Sequence, residues 1–390
     1  MDSGLARFGP REDDEPSYAP IPEAAMKLGF GLYRHMLTDE YLTFARQTGA
    51  THLVVHMCDY FNQKPAGDDQ PVGDAGGWGY ATGEYWSTEL LAGIKAKIEA
   101  HGLAWYAIEN FDPRHWDHIL FDGPKKREQV ELVKDLIRNI GAAGIPVIGY
   151  NFSLTGVTGR IKRDGARGSA TTVGMDGINE TILSPMPNAM AWNMVVDEKA
   201  TGFREPMSRD KLWENLAWFL REVVPVAEKV GVRLALHPDD PPLEEVRGLP
   251  KLVVRPDMYQ RVIDLIPSRS NALEFCAGTI AEMTSGSVYE AVRQFASQGK
   301  IAYVHLRNVV GKVPHYTEVF IDEGEIDVKR LLAILEDYQF DGVVIPDHTP
   351  QMNCPAPWHA GMAFAMGYLK SALETATEGR GIAGALPRAD

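Results

Sequence analysis

The chain is predicted to fold as an α/β protein, a (β/α)8 TIM barrel built as one domain. Three observations predict it. Short apolar, β-branched or aromatic runs alternate with longer amphipathic ones, and there are eight of the short kind. Most are apolar almost throughout, as parallel strands buried on both faces are. No G-x-G-x-x-G follows the first run, which removes support for an open dinucleotide-binding sheet.

The eight strands are expected at 29–34, 52–57, 104–110, 146–152, 232–238, 272–278, 302–308 and 342–348. Helices are expected between them. Thr38 opens one at 38–48, Ser87 one at 87–100, and Asp122 with Pro124 one at 124–142. Ser208 opens the next, where Leu212, Leu216, Phe219, Val223, Ala227 and Val230 recur at helical spacing over 209–230. The remainder fit 256–266, 280–298, 327–338 and 359–375. Gly49, Gly102, Gly144 and Gly231 each stand where a helix must stop in the left-handed region before the next strand.

The barrel is bounded at 26–376. Residues 1–25 and 377–390 are rich in Pro, Gly and charge, and are expected to be a flexible arm and tail. Two connections, 59–86 and 153–206, are too long for plain loops. They follow strands two and four, so they are expected on the C-terminal face, where barrels carry their chemistry.

With 390 residues, the chain can build a large core without cross-links. A net charge of −14 argues against nucleic acid and anionic membrane as partners. No apolar run is long enough to span a bilayer, and the first residues lack the apolar segment of a signal peptide. Three scattered cysteines are no disulfide scaffold. A reduced, cytoplasmic location is expected.

The last four strands share one feature. Each ends in a residue able to bind a metal: His237, Cys276, His305 and Asp347. The gaps of 39, 29 and 42 residues are each about one βα repeat, roughly 31 residues in a barrel of ~250. Singly, each has a bland explanation as a core His, a buried Cys or a helix cap. At matching ends of neighbouring strands they are expected to converge on one cation. Two imidazoles, a thiolate and a carboxylate suit Zn2+ or Fe2+, and the carboxylate also suits Mn2+.

Other strand ends are polar. Arg34 and His35, His56, Glu109 and Asn110, and Tyr150 and Asn151 end the first four. Asp239 and Asp240 follow His237, and Arg307 and Asn308 follow His305. Such a rim fits a polyhydroxylated small molecule, with Glu109, Asn151, Asp239, Arg307 and Asn308 as the expected contacts. Arg160, Lys162, Arg163 and Arg167 form a basic loop that could hold a carboxylate or a phosphate. Trp78, Tyr80, Tyr85 and Trp86 could form an aromatic lid.

At these residues the chain resembles the mannonate dehydratase family, metal-dependent hydro-lyases on a xylose-isomerase-like barrel. The matching stretches are GYNFS (149–153), LALHPDDPP (234–242), EFCAGT (274–279), YVHLRNV (303–309) and IPDH (345–348). The resemblance places the metal ligands on the same four residues, implies Mn2+ as the usual metal, and makes His348 a proton-transfer residue. It also implies a homo-oligomer, a dimer or tetramer. Two departures stand out. The first strand keeps only Arg34 of an aromatic-Arg-aromatic run. The family's catalytic Tyr after strand eight is missing from CPAPWHAGM, where His359 is the proton-carrying side chain.

The activity implied is dehydration of a sugar acid, D-mannonate to 2-keto-3-deoxy-D-gluconate. His348 would be one acid–base group, and His359 or a residue near Arg34 the other. A sugar isomerase or epimerase, or a lyase of another hydroxy acid, on the same barrel is the alternative. A metal-stabilised binding protein is a third reading.

Overall fold

A computed structural model describes residues 26–61 and 77–383. Residues 1–25, expected as an arm, lie outside the described residues, as do the last seven of the expected tail. The closing helix runs over Pro357–Ala383, longer than the sequence suggested.

The eight strands form a closed, all-parallel barrel. They are β1 (Lys27–Tyr33), β2 (His52–His56), β3 (Ala104–Glu109), β4 (Val147–Tyr150), β5 (Arg233–Leu236), β6 (Asn271–Cys276), β7 (Ile301–His305) and β8 (Val343–Ile345). The barrel closes where β1 pairs with β8, Lys27 opposite Val343. Its interior is lined by small residues, Ala107, Ala235, Ala272 and Ala302 among them, which leave room for the Tyr303 ring. A larger apolar layer lies between strands and helices. Each fully buried Leu or Ile there contributes about 1.5–3 kcal/mol.

The helix starts follow their caps. Thr38, Ser87 and Ser208 each accept a hydrogen bond from the backbone N–H three residues on. The four glycines expected to stop helices all have positive φ, from 69° to 97°. Two expectations are corrected. Asp122 does not cap its helix, which begins at Lys126; its carboxylate pairs with Lys126 and Lys211 instead. The single helix expected at 280–298 is two, Ala277–Glu282 and Val288–Ser297. Met283 turns extended and Gly286 takes φ 86°, so Thr284–Ser287 breaks the helix.

The long segment after β4 is not a plain loop. Strands Ile161–Ala166 and Ala170–Asp176 form a hairpin, and His315–Val319 and Asn308–Lys312 extend it into a four-stranded antiparallel sheet. Gly79–Tyr80, from the loop after β2, pairs with Met194–Val195. The insertions after β2, β4 and β7 thus interlock above the C-terminal ends of the strands. The β7 hairpin was not anticipated.

Candidate active site and metal centre

Strand register builds the site. Cys276 ends β6 opposite His305, which ends β7. His237 follows β5, its backbone N–H still donating to Tyr150 on β4 at 2.9 Å. One donor atom from each of His237, Cys276 and His305 lies within 4.8 Å of the other two. Asp347 follows β8 with φ 58°, and its Oδ1 is 3.6 Å from His305 Nδ1. Three of the four residues singled out by spacing therefore meet at the rim, and Asp347 stands beside His305.

Their electrostatics suit a cation. Burial alone would push the Cys276 thiol up, but the Arg307 charge and the neighbouring His237 and His305 imidazoles hold it down to about 5. The Thr279 N–H and hydroxyl also donate to Cys276 Sγ, at 3.5 and 3.1 Å. Burial opposes a charged His237, yet Glu274 and Cys276 raise it to about 9. Burial works against an ionised Asp347 too, but His348, His305 and Arg307 hold it well below the usual carboxylate range. Neither ring nitrogen of His305 completes a hydrogen bond of good geometry, although the residue is buried. Two imidazoles, a low-pKa thiol and a carboxylate with unsatisfied buried nitrogen fit a divalent transition-metal ion.

Glu274 is a site residue that sequence reasoning missed. It lies two residues before Cys276, so strand alternation points both into the barrel. Fully buried, it has Oε1 3.2 Å from His305 Nε2 and 4.0 Å from His237 Nε2. Burial and the nearby Glu109 carboxylate push it up to about 8. Tyr303, two residues before His305, lies beneath it by the same rule. The polar residues two positions before Cys276 and His305, Glu274 and Tyr303, were the available signal; the same positions before His237 and Asp347 are Ala235 and Ile345.

Arg307 anchors the other wall. Its Nη2 donates to Asp240 Oδ2 (3.0 Å), Glu282 Oε1 (2.9 Å) and Thr279 Oγ1 (3.0 Å). Nη1 donates to His348 Nε2 at 3.2 Å. His348 Nδ1 in turn lies 2.7 Å from Glu318 Oε2. Arg160, buried, pairs with Glu318 at 3.1 Å. Glu282 and Glu318 were not anticipated. The basic loop divides: Arg160 enters the site, whereas Arg167 pairs with Asp322 at the surface.

Glu109, Asn151, Arg307 and His348 line the cleft, and Asp240 joins them. Four other candidates do not. Asp239 points away and accepts hydrogen bonds from the Leu252 and Val253 N–H groups at 2.8 and 2.9 Å, so it fixes a loop. Asn308 spends its amide on the Ile321 and Ile326 carbonyls, clasping the β7 insertion. Arg34 pairs with Glu84 outside the cleft. The His359 ring stacks on Tyr41 and meets Phe44 edge-on, centroids 5.5 and 4.7 Å away; its neighbour Trp358 faces the cleft instead. Of the expected lid, Trp78 lines the cleft. Trp86 is buried against Phe111 and His115, and Tyr85 is exposed. Tyr33, Tyr60 and Trp192 are cleft aromatics that were not anticipated as such.

A barrel with this rim belongs to the xylose-isomerase-like class of folds. A xylose isomerase domain protein from Alicyclobacillus acidocaldarius subsp. acidocaldarius shares the fold, with TM-score 0.55 and 12% identity over 90% of this chain and 100% of that one. More specifically, residues 76–371 match the family model for D-mannonate dehydratase, and the chain belongs to that family. A mannonate dehydratase of Streptococcus pneumoniae (strain 70585) is 30% identical over 277 residues, 68% of this chain and 75% of the relative. The crystal structure of mannonate dehydratase from Streptococcus suis serotype2 superposes with TM-score 0.74 at 25% identity, covering 92% of this chain and 95% of that one. The protein is therefore an enzyme of the hydro-lyase class, a sugar-acid dehydratase. Among the described residues no helix is long and apolar enough to cross a membrane.

Proposed function

We propose that this enzyme converts D-mannonate to 2-keto-3-deoxy-D-gluconate with a divalent cation, Mn2+ first and Fe2+ or Zn2+ as alternatives. The cation would be held by His237, Cys276, His305 and Asp347. The observation that carries the reading is the meeting of these side chains beside His348. When bound, the cation would draw charge from the carboxylate end of the aldonate and so acidify its C2 hydrogen.

The protein's own groups do the rest. Glu318 accepts from His348 Nδ1–H, so the lone pair lies on Nε2, where the Arg307 N–H donates to it; a substrate carboxylate that drew the Arg307 N–H to itself would free that lone pair for a proton. His348 is thus set as the base for the C2 hydrogen. Arg307, Glu109, Asn151 and Asp240 offer donors and acceptors to the carboxylate and hydroxyls of the substrate. Trp78, Trp192 and Tyr60 give apolar faces that exclude water around the sugar chain.

The isomerase reading drew its support from the tyrosine missing after β8. Phenols of Tyr33 and Tyr60 reach the cleft from the β1 and β2 ends, so that support weakens. The test is to load the purified enzyme with Mn2+, add D-mannonate and follow the 2-keto-3-deoxy acid by mass and by its carbonyl chemistry. Loss of one water is expected. A metal-loaded enzyme that turns over no aldonate, or that returns an isomer of unchanged mass, would refute the reading.

A further inference from the structure

Loss of the C3 hydroxyl needs a second proton-handling group, facing His348. We propose that this group is the phenol of Tyr60, backed by a Tyr60–His56–Glu109 relay. The inference rests on the dehydratase reading above and adds a residue and a role to it.

Four observations carry it. Tyr60 lines the cleft with only 2% of its surface exposed. Its oxygen accepts from Asn110 Nδ2–H at 3.1 Å and lies 3.4 Å from His56 Nδ1. His56 Nε2 lies 3.5 Å from Glu109 Oε2. The Tyr33 ring packs 4.8 Å from the imidazole, centroid to centroid, and limits its rotation. Strand register explains the series, because Tyr33, His56 and Glu109 are cross-strand partners at the ends of β1, β2 and β3. Asn110 follows Glu109 with φ 64°, a left-handed turn at the point where its amide meets the phenol.

The roles follow from donor counting. Glu109 can only accept, so a neutral His56 turned with its Nε2–H toward that carboxylate keeps a lone pair on Nδ1; the 3.5 Å separation is an ion-pair contact rather than a completed hydrogen bond, and Glu109 Oε2 also lies 3.3 Å from His305 Nε2. Asn110 N–H occupies one lone pair of the phenol oxygen. The phenol hydrogen is then free to point at His56 Nδ1 or at a ligand hydroxyl. Phenol, imidazole and carboxylate stand in the same order as the hydroxyl, imidazole and carboxylate of a hydrolase triad. Burial also keeps Tyr60 protonated, as a donor must be.

The step balances within the enzyme. The C2 hydrogen goes to His348 Nε2 and its electron pair is held first by the substrate's own carboxylate as an enediolate, which can take a hydrogen back; in a second step that pair forms C2=C3 and the C3–O bond breaks. The departing oxygen takes the Tyr60 proton and leaves as water. The enol hydroxyl then returns its proton to Tyr60 as C2–O becomes a carbonyl, and C3 takes the proton from His348. Both residues are restored. Tyr60 is the catalytic residue here, and His56 and Glu109 position it.

The test separates proton abstraction from water loss. Mn2+-loaded wild type, Tyr60→Phe, His56→Gln and His348→Asn are incubated with D-mannonate in D2O. Keto-acid formation and deuterium at C2 of the remaining substrate are both measured. Tyr60→Phe is expected to lose dehydration by about 10²-fold or more while still exchanging the C2 hydrogen. His348→Asn should lose both. His56→Gln should show the Tyr60→Phe split more weakly, with a displaced pH profile, and so supports the proposal even if Tyr60→Phe does not fold. Tyr60→Phe dehydrating within about threefold of wild type would overturn the proposal, and so would loss of exchange together with dehydration. A wild type that dehydrates no aldonate would sink the underlying reading instead, which distinguishes the two failures.

Discussion

His348 Nδ1 lies 2.7 Å from Glu318 Oε2, and these residues come from different layers of the molecule. His348 follows β8 of the barrel. Glu318 belongs to the strand His315–Val319 of the sheet above it. The insertion after β7 therefore sets the tautomer of a barrel side chain. Glu318 is itself held ionised: burial would raise its carboxyl, but His348, Arg307 and Arg160 bring it below the ordinary range.

Glu318→Gln tests that link. The amide can present its N–H to Nδ1 and so turn the imidazole the wrong way round. Turnover should fall about 10²-fold, with little change in metal content, because none of the four proposed ligands bonds to Glu318. Activity within threefold of wild type would show that His348 is oriented by something else. His359→Ala is the matching control: its ring serves the Tyr41 and Phe44 contacts, so it should cost some stability and leave turnover nearly intact.

Cys276→Ser tests the metal centre. A thiol brought down to about 5 is a thiolate at neutral pH, whereas a serine hydroxyl is not ionised there. The variant should retain at least tenfold less Mn2+ after dialysis, read by elemental analysis. The pH sign follows from the depressed value. The group favours the folded, metal-binding form above its unfolded thiol range of about 8.5. That contribution shrinks as pH falls and is gone below about 5. Wild type should release metal as pH falls through about 5, where the folded thiol takes up its proton. Equal metal retention in the two proteins at pH 7 would remove Cys276 from the ligand set.

Much of this site was legible because buried parallel strands read as apolar runs, so a polar residue at the end of a run stands out. His237, Cys276, His305 and Asp347 were singled out that way as candidates. Glu274 was not, because it sits inside a run whose length looked like core, and only alternation with Cys276 reveals it. Asp239 and Asp240 show a harder limit. They are adjacent and chemically alike, and tertiary contacts with the Leu252–Val253 backbone decide which one turns from the cleft. Trp358 and His359 differ by one helical step of about 100°, so one faces the cleft and the other packs on Tyr41. Arg160 could not be told apart in the sequence from the other cations of its basic loop, and only the sheet above the barrel singles it out by folding it against Glu318.

His52 offers a pH test far from the chemistry, since it begins β2 at the opposite end of the barrel. Burial first, and the Lys27 charge second, lower it from 6.5 to about 4. A histidine with a lowered folded value stabilises the fold fully above its unfolded value. It loses that contribution as pH falls from about 6.5 through 4. Wild-type stability should therefore drop more steeply over that range than that of His52→Gln, whose amide can still meet the Thr51 hydroxyl. Urea unfolding at several pH values reads the difference. Parallel curves would mean that His52 titrates normally.

Gly149 on β4 tests how tightly the floor of the site is packed. A Cβ there would lie 2.1 Å from the Tyr303 hydroxyl and 2.5 Å from Glu274 Oε2. Both side chains are fully buried, so neither can swing into solvent. Gly149→Ala must therefore displace Glu274 from His305 or bend β4, at a cost of about 1–3 kcal/mol. The same substitution at Gly367, exposed on the last helix with nothing within 4 Å of its Cβ, should stabilise by roughly 0.5–1 kcal/mol. Urea midpoints should move in opposite directions, and only Gly149→Ala should lower Mn2+ retention. If Gly149→Ala matched wild type in both, the Glu274 carboxylate would have room to yield and would not hold His305 in place.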